Sequence, residues 1–163
     1  MSDADETGGG AGAPFARAPG PGEVVVAEAG FGRYAQVIYD GKHRLTADEP
    51  EAEGGLDTGP SPYRLLLAAL GACTSITLRM YAERKKWPLR GVAVRLRHSK
   101  SHVADSAGAG RRAAKIDRIE REIELTGDLS AEQRQRLLEI ADKCPVHQTL
   151  ERANEVVTRL RPA

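Results

Sequence analysis

The 163-residue chain predicts an α+β fold with antiparallel strands, and three observations carry that expectation. Strand-like and helix-like patterns come in blocks, not in the strict alternation of a parallel βαβ sheet. Asp40-Gly41, a strong hairpin signal, joins two short segments of strand character. One run, residues 63–85, keeps apolar side chains at helical spacing along its whole length.

The elements follow in order. Residues 1–21 are rich in Gly, Ala and Pro and bury too little apolar surface to offset the entropy of ordering. They read as a disordered tail, leaving 22–163 as one domain. Strands are expected over 23–29, around Val24-Val25-Val26, over 33–39, and over 42–47. An acidic, glycine-rich loop over 48–60 is long enough to be functional. Ser61 is a good N-cap, Pro62 fits the first helical position, and Trp87-Pro88 ends the helix.

That helix is apolar nearly all round in its first half, so it is expected to be central and largely buried. Val92, Val94 and Leu96 alternate with polar residues as a half-buried strand, and a polar loop over 99–112 follows. Ile119, Ile123 and Leu125 mark a further strand. Ser130-Ala131-Glu132-Gln133 is a capping box opening a second helix. A last strand is expected over 156–161, and the whole order suggests one antiparallel sheet. With aromatic content of only 4%, a buried helix also implies that a second subunit finishes the core.

Composition narrows the function. Net charge is +1, with both signs mixed along the chain, whereas a nucleic-acid surface normally shows a basic excess. No stretch reaches roughly 18 uninterrupted apolar residues, and the acidic start Met1-Ser2-Asp3-Ala4-Asp5-Glu6 does not read as a signal peptide. Two cysteines are too few for a secreted disulfide scaffold, so a reducing cytoplasm is the expected compartment and neither membrane nor nucleic acid an expected partner.

Those two cysteines are the chemical signal. Cys73 lies in an apolar helix and Cys144 opens Cys144-Pro145-Val146-His147. Were the fold to bring them together, one sulfur would be available for oxidation and the other to resolve it. The bland alternative for Cys73 is a small buried hydrophobe. A reactive Cys73 needs a cation nearby to hold its thiolate, and Arg33, Arg44 and Arg64 are the candidates. His147 reads as a surface residue, a base or a metal ligand. A Cys-x-x-His fragment with one remote Cys is one ligand short of a closed zinc site, so no metal or cofactor is expected. A Cys–His hydrolase is the remaining alternative, without a recognisable oxyanion-hole signature.

The run from Gly59-Pro60-Ser61-Pro62 to Gly71-Ala72-Cys73-Thr74 resembles the central helix of the OsmC/Ohr family. Lys143-Cys144-Pro145-Val146-His147 resembles that family's second cysteine motif, and Gly32-Arg33 and Gly54-Gly55 also fit. The resemblance spans residues 23–162 and lies nearest the broad OsmC-like branch. It implies an intertwined homodimer in which antiparallel sheets wrap long buried central helices. It also implies thiol-dependent reduction of organic hydroperoxides, with an external dithiol, lipoyl-based in related proteins, as reductant. Carried over, Cys73 is the peroxidatic cysteine, Cys144 the resolving one, and Arg33 the arginine that stabilises the Cys73 thiolate and polarises the peroxide.

One position departs from the pattern. Ten residues before the first cysteine, where the Ohr branch has a Glu that pairs with the arginine, stands Tyr63. A tyrosine hydroxyl accepts a hydrogen bond from arginine but does not neutralise it. Glu49, Glu51, Glu53 and Asp57 are the alternative carboxylates in the preceding loop. The rival expectation is a dimer of the same fold that binds a small apolar or thiol-reactive ligand with little turnover.

Overall fold

The structure is a computed structural model in which residues 19–102 and 115–160 are described. Most of the expected tail and most of the loop expected over 99–112 lie outside the described residues. The chain divides into two compact units, Met1–Leu65 and Leu66–Ala163.

In the first unit, β1 (Val25–Glu28), β2 (Gln36–Tyr39) and β3 (Arg44–Ala47) form an antiparallel sheet in that order. Each strand is shorter than its sequence pattern, because Gly30, Gly32 and Gly41 take positive φ and turn the chain away. At the Asp40-Gly41 turn the Asp40 carboxylate accepts the His43 amide at 2.9 Å. Register places Ala27 and Val37 opposite one another on the buried face, and Ala47 is buried at the end of β3 where the next loop begins.

The loop after β3 closes on a side chain that carried no signal in the sequence. Asp48 is only 2% exposed, and its carboxylate accepts the amides of Glu49 (2.8 Å), Leu56 (3.1 Å) and Thr58 (3.2 Å) and the Thr58 hydroxyl (2.9 Å). A single 3-10 turn, Glu51–Glu53, lies within it. Gly55 is required there, since a Cβ would stand 1.9 Å from the Glu49 carbonyl oxygen.

Burial alone would push the Asp48 carboxyl up. The Thr58 hydroxyl and the three amides outweigh it and hold the group below the usual carboxylate range. Its stabilisation is therefore complete above the unfolded Asp value, about 3.9, and is lost as pH falls through the folded value. Asp48→Asn is expected to lower the urea midpoint at about pH 7 and to flatten its decline toward about pH 3. Identical midpoint-against-pH curves for the two proteins would contradict this.

Helix α1 (Pro62–Lys85) begins at the end of the first unit and runs into the second. Its end is a Schellman turn: Lys86 is left-handed (φ 56°), its amide bonds the Glu83 carbonyl, and the Trp87 amide bonds the Ala82 carbonyl at 2.9 Å. The second unit continues with β4 (Leu89–His102), β5 (Lys115–Gly127), α2 (Ala131–Ala141) and α3 (Pro145–Glu151). β4 and β5 pair antiparallel through registers such as Val94↔Ile123 and His98↔Ile119. The capping box is formed: the Gln133 amide bonds Ser130 Oγ, and the Gln133 side chain accepts the Ser130 amide. Leu78, Ala82, Leu89, Leu129, Leu137, Ile140 and Ala141 make the core, with Trp87 and Ile123 packed against it.

Four expectations need correction. There are two antiparallel sheets, not one. β4 continues through Ser99 to His102, because the facing strand supplies backbone partners that a polar sequence does not advertise. Residues 153–160 form no strand, since no described segment pairs with them, and Val156 (86%) and Leu160 (97%) are exposed. Within the chain, α1 buries only the stripe Leu70, Gly71, Thr74, Leu78 and Ala82, leaving Ile76 (59%) and Met80 (65%) uncovered. By length and composition alone this helix would also suffice to cross a membrane.

Candidate functional site: a cysteine pair and its arginine

The second unit brings Cys73 and Cys144 together. Cys73 lies within α1, directly before the buried Thr74. Cys144 is the N-cap residue of α3, with Pro145 at the first helical position. Pro145 therefore starts a helix; α2 has already ended at Ala141. The Cys144 amide bonds the Ala141 carbonyl at 3.3 Å, and the Cys144 carbonyl accepts the Gln148 amide at 3.1 Å, so the residue is held on both sides.

The two thiols interact directly, yet their surroundings differ. Cys144 is 0% exposed and Cys73 is half-buried, so a molecule arriving from solvent meets Cys73 first. Burial pushes the Cys73 thiol up and the neighbouring Cys144 pushes it further; the Val146 amide and Thr77 hydroxyl oppose this without prevailing. Burial acts the same way on Cys144. There the Cys73 thiol, the His147 amide, the Thr74 hydroxyl and the Val146 amide together win and draw it below the ordinary cysteine range. The two thiols therefore titrate as one coupled pair, and the hydrogen bonds from α3 act mainly on its Cys144 side.

This asymmetry has a direct consequence. In Cys144→Ser, Cys73 keeps its burial but loses both upward effects of the second sulfur, so its iodoacetamide labelling should begin at lower pH than in the parent. Mass spectrometry across about pH 6–10 reads this. A Cys73 profile that stays put or moves upward would contradict it.

Arg33 belongs to the other unit, in the exposed bend between β1 and β2, with its guanidinium 5.7 Å from the Tyr34 ring centroid. Tyr63 and Arg64, at the start of α1, also belong there, and so do Arg44 on β3 and the loop carboxylates Glu49, Glu51, Glu53 and Asp57. His147 points along α3, 19% exposed, with Nε2 3.1 Å from Glu151 Oε2 and 3.9 Å from Asp142 Oδ1. Among the described residues no group of three His, Cys, Asp or Glu side chains is arranged to hold a metal.

A largely buried arginine that the sequence reading did not single out is Arg121 on β5. Its side chain is 11% exposed and pairs with Asp142 at 2.8 Å. It also donates to Thr74 Oγ1 (3.0 Å) and to the Ala141 carbonyl (3.2 Å). A signal for it exists: along Ile119, Arg121, Ile123 and Leu125 it occupies a position on the inward, apolar face, where a charge needs partners. Beside it lies a cavity of about 430 Å³ walled by Leu70, Ile119, Leu138, Leu150 and His147.

Fold and site together describe an α+β protein with an apposed thiol pair joining its longest helix to the turn before its last. The OsmC-like protein family matches residues 54–159, more than half of the chain, which takes in both cysteines. The chain belongs to this family. Among solved structures, the OsmC-like protein of Mycoplasma pneumoniae is similar at 18% identity and a TM-score of 0.63, covering 79% of this chain and 86% of that one. An organic hydroperoxide resistance protein OsmC of Legionella pneumophila is similar at 19% identity and 0.57, covering 78% and 88%. An organic hydroperoxide resistance protein of Elizabethkingia anophelis is similar at 17% and 0.56, covering 77% and 84%. No curated protein matches the chain.

Proposed function

We propose that the protein is a two-cysteine peroxidase that reduces organic hydroperoxides to alcohols. The observation that carries this is the direct interaction of a half-buried Cys73 with a fully buried Cys144. Family membership supports it, as do the two similar structures named for organic hydroperoxide resistance.

In this mechanism Cys144 first accepts the Cys73 proton. The Cys73 thiolate attacks the distal peroxide oxygen, the O–O bond breaks, and the alkoxide leaves as alcohol with the proton returned from Cys144. Cys144, again a thiolate, attacks the Cys73 sulfenic acid, forms the disulfide and expels hydroxide. An external dithiol, lipoyl-based in this reading, reopens it by exchange and is itself oxidised. Arg33 is the cation proposed to meet the peroxide. A homodimer is the working form, its second subunit covering Ile76 and Met80 on α1, and the cytoplasm its compartment.

A second reading is a dimer that binds a thiol-reactive ligand with little turnover. Tyr63 in place of the carboxylate and the upward-shifted Cys73 thiol favour it. Steady-state consumption of cumene hydroperoxide with dihydrolipoamide separates the two. Sustained, enzyme-dependent turnover supports the peroxidase, and a single equivalent consumed without turnover supports the binder.

A further inference from the structure

We propose that Arg121 is the positioning residue of the cysteine pair: its guanidinium clamps α1 to the corner before α3 and so sets the two sulfurs for disulfide closure. The inference deepens the peroxidase reading and rests on it for the physiological oxidant, but not for the geometry. One guanidinium reaches residues flanking both cysteines. On α1 it donates to Thr74, the residue directly after Cys73. On the other side it donates to the Ala141 carbonyl, the same oxygen that accepts the Cys144 amide, and pairs with Asp142. A planar fork of fixed donors suits such a bridge, whereas a lysine ammonium acts as a point charge.

The connections are not ones the fold needs for lack of other partners. Thr74 Oγ1 also bonds the Leu70 carbonyl at 2.8 Å. The Ala141 carbonyl keeps the Cys144 amide, and Asp142 is 65% exposed and open to water. Replacing Arg121 by Met therefore leaves no buried polar group stranded and removes the clamp alone. The geometry at stake is demanding, because a disulfide tolerates Cα separations of only about 4.4–6.8 Å. Misplacement on the order of 1 Å can cost a reacting pair roughly a hundredfold.

The test uses full-length reduced protein as wild type, Arg121→Met, Arg121→Lys and Thr74→Val. Each is mixed with one equivalent of cumene hydroperoxide in the presence of dimedone, and intact mass gives the ratio of disulfide to trapped sulfenic acid. The ratio is expected to fall at least tenfold in Arg121→Met, with smaller falls in Arg121→Lys and Thr74→Val. The equilibrium constant for disulfide formation against glutathione is expected to fall about tenfold in Arg121→Met, close to 30 mV. A parallel arm closes the disulfide with diamide. If wild type ignores the hydroperoxide but closes with diamide, the peroxidase reading fails, and the clamp is judged on diamide closure and the glutathione equilibrium. Wild-type closure and equilibrium in Arg121→Met overturn the proposal, as does a wild type that diamide does not close. Should Arg121→Met not fold, Arg121→Lys decides by the same measurements, because Thr74 also contacts Cys144 directly: a lowered ratio supports the clamp and an unchanged one overturns it.

Discussion

Cys73→Ser is expected to lower hydroperoxide consumption by at least on the order of a thousandfold, to the level of buffer. The expectation follows from access as much as from chemistry. Cys144 is 0% exposed, so removing Cys73 leaves a sulfur that peroxide does not reach, however readily it ionises. A serine hydroxyl in the same place offers neither a thiolate nor an oxidisable sulfur. Cys144→Ser should behave differently: one equivalent of hydroperoxide reacts, Cys73 accumulates as sulfenic acid, and turnover stops for want of the second sulfur. Stopped assays with the two variants side by side check this. Equal residual activity in both would remove the division of labour between the cysteines.

Leu137→Ala should produce the largest loss of stability. Leu137 is 0% exposed and sits in the core with Leu78, Ala82, Leu89 and Ile140. Truncation removes the transfer free energy of the side chain and leaves a cavity that a close-packed core fills only in part, costing about 3 kcal/mol. The adjacent Leu138 is 52% exposed, and its truncation should cost less than about 1 kcal/mol. Urea unfolding of the two variants gives the comparison directly. Similar losses for both would mean that the core does not centre on Leu137.

How far the sequence discloses this molecule depends on whether the deciding interaction is local. Ser130 and Gln133 are three residues apart and their reciprocal cap reads straight from the pattern. Pro62 and Trp87-Pro88 likewise mark the ends of α1. The family resemblance identifies Cys73 and Cys144 as partners, and the structure adds their inequality, which arises from groups brought in by α1 and α3 together. Arg121 escaped because its partners lie 47 and 20 residues away in sequence. Asp48 looked like one more acidic loop residue, and only the folding back of Leu56 and Thr58 makes it a buried anchor. Strand ends failed in both directions for a single reason, since pairing with a neighbour defines a strand. Ser99 to His102 have that neighbour in β5, and Val156 to Leu160 have none among the described residues.

The central claim is that Cys73 and Cys144 work as one redox unit. Its most direct test is peptide mapping of the reduced protein after one equivalent of cumene hydroperoxide, with free thiols counted before and after. The account predicts loss of both thiols and a single peptide pair joined through Cys73 and Cys144. Two thiols still free, or Cys73 carried to sulfinic acid while Cys144 stays reduced, would contradict it.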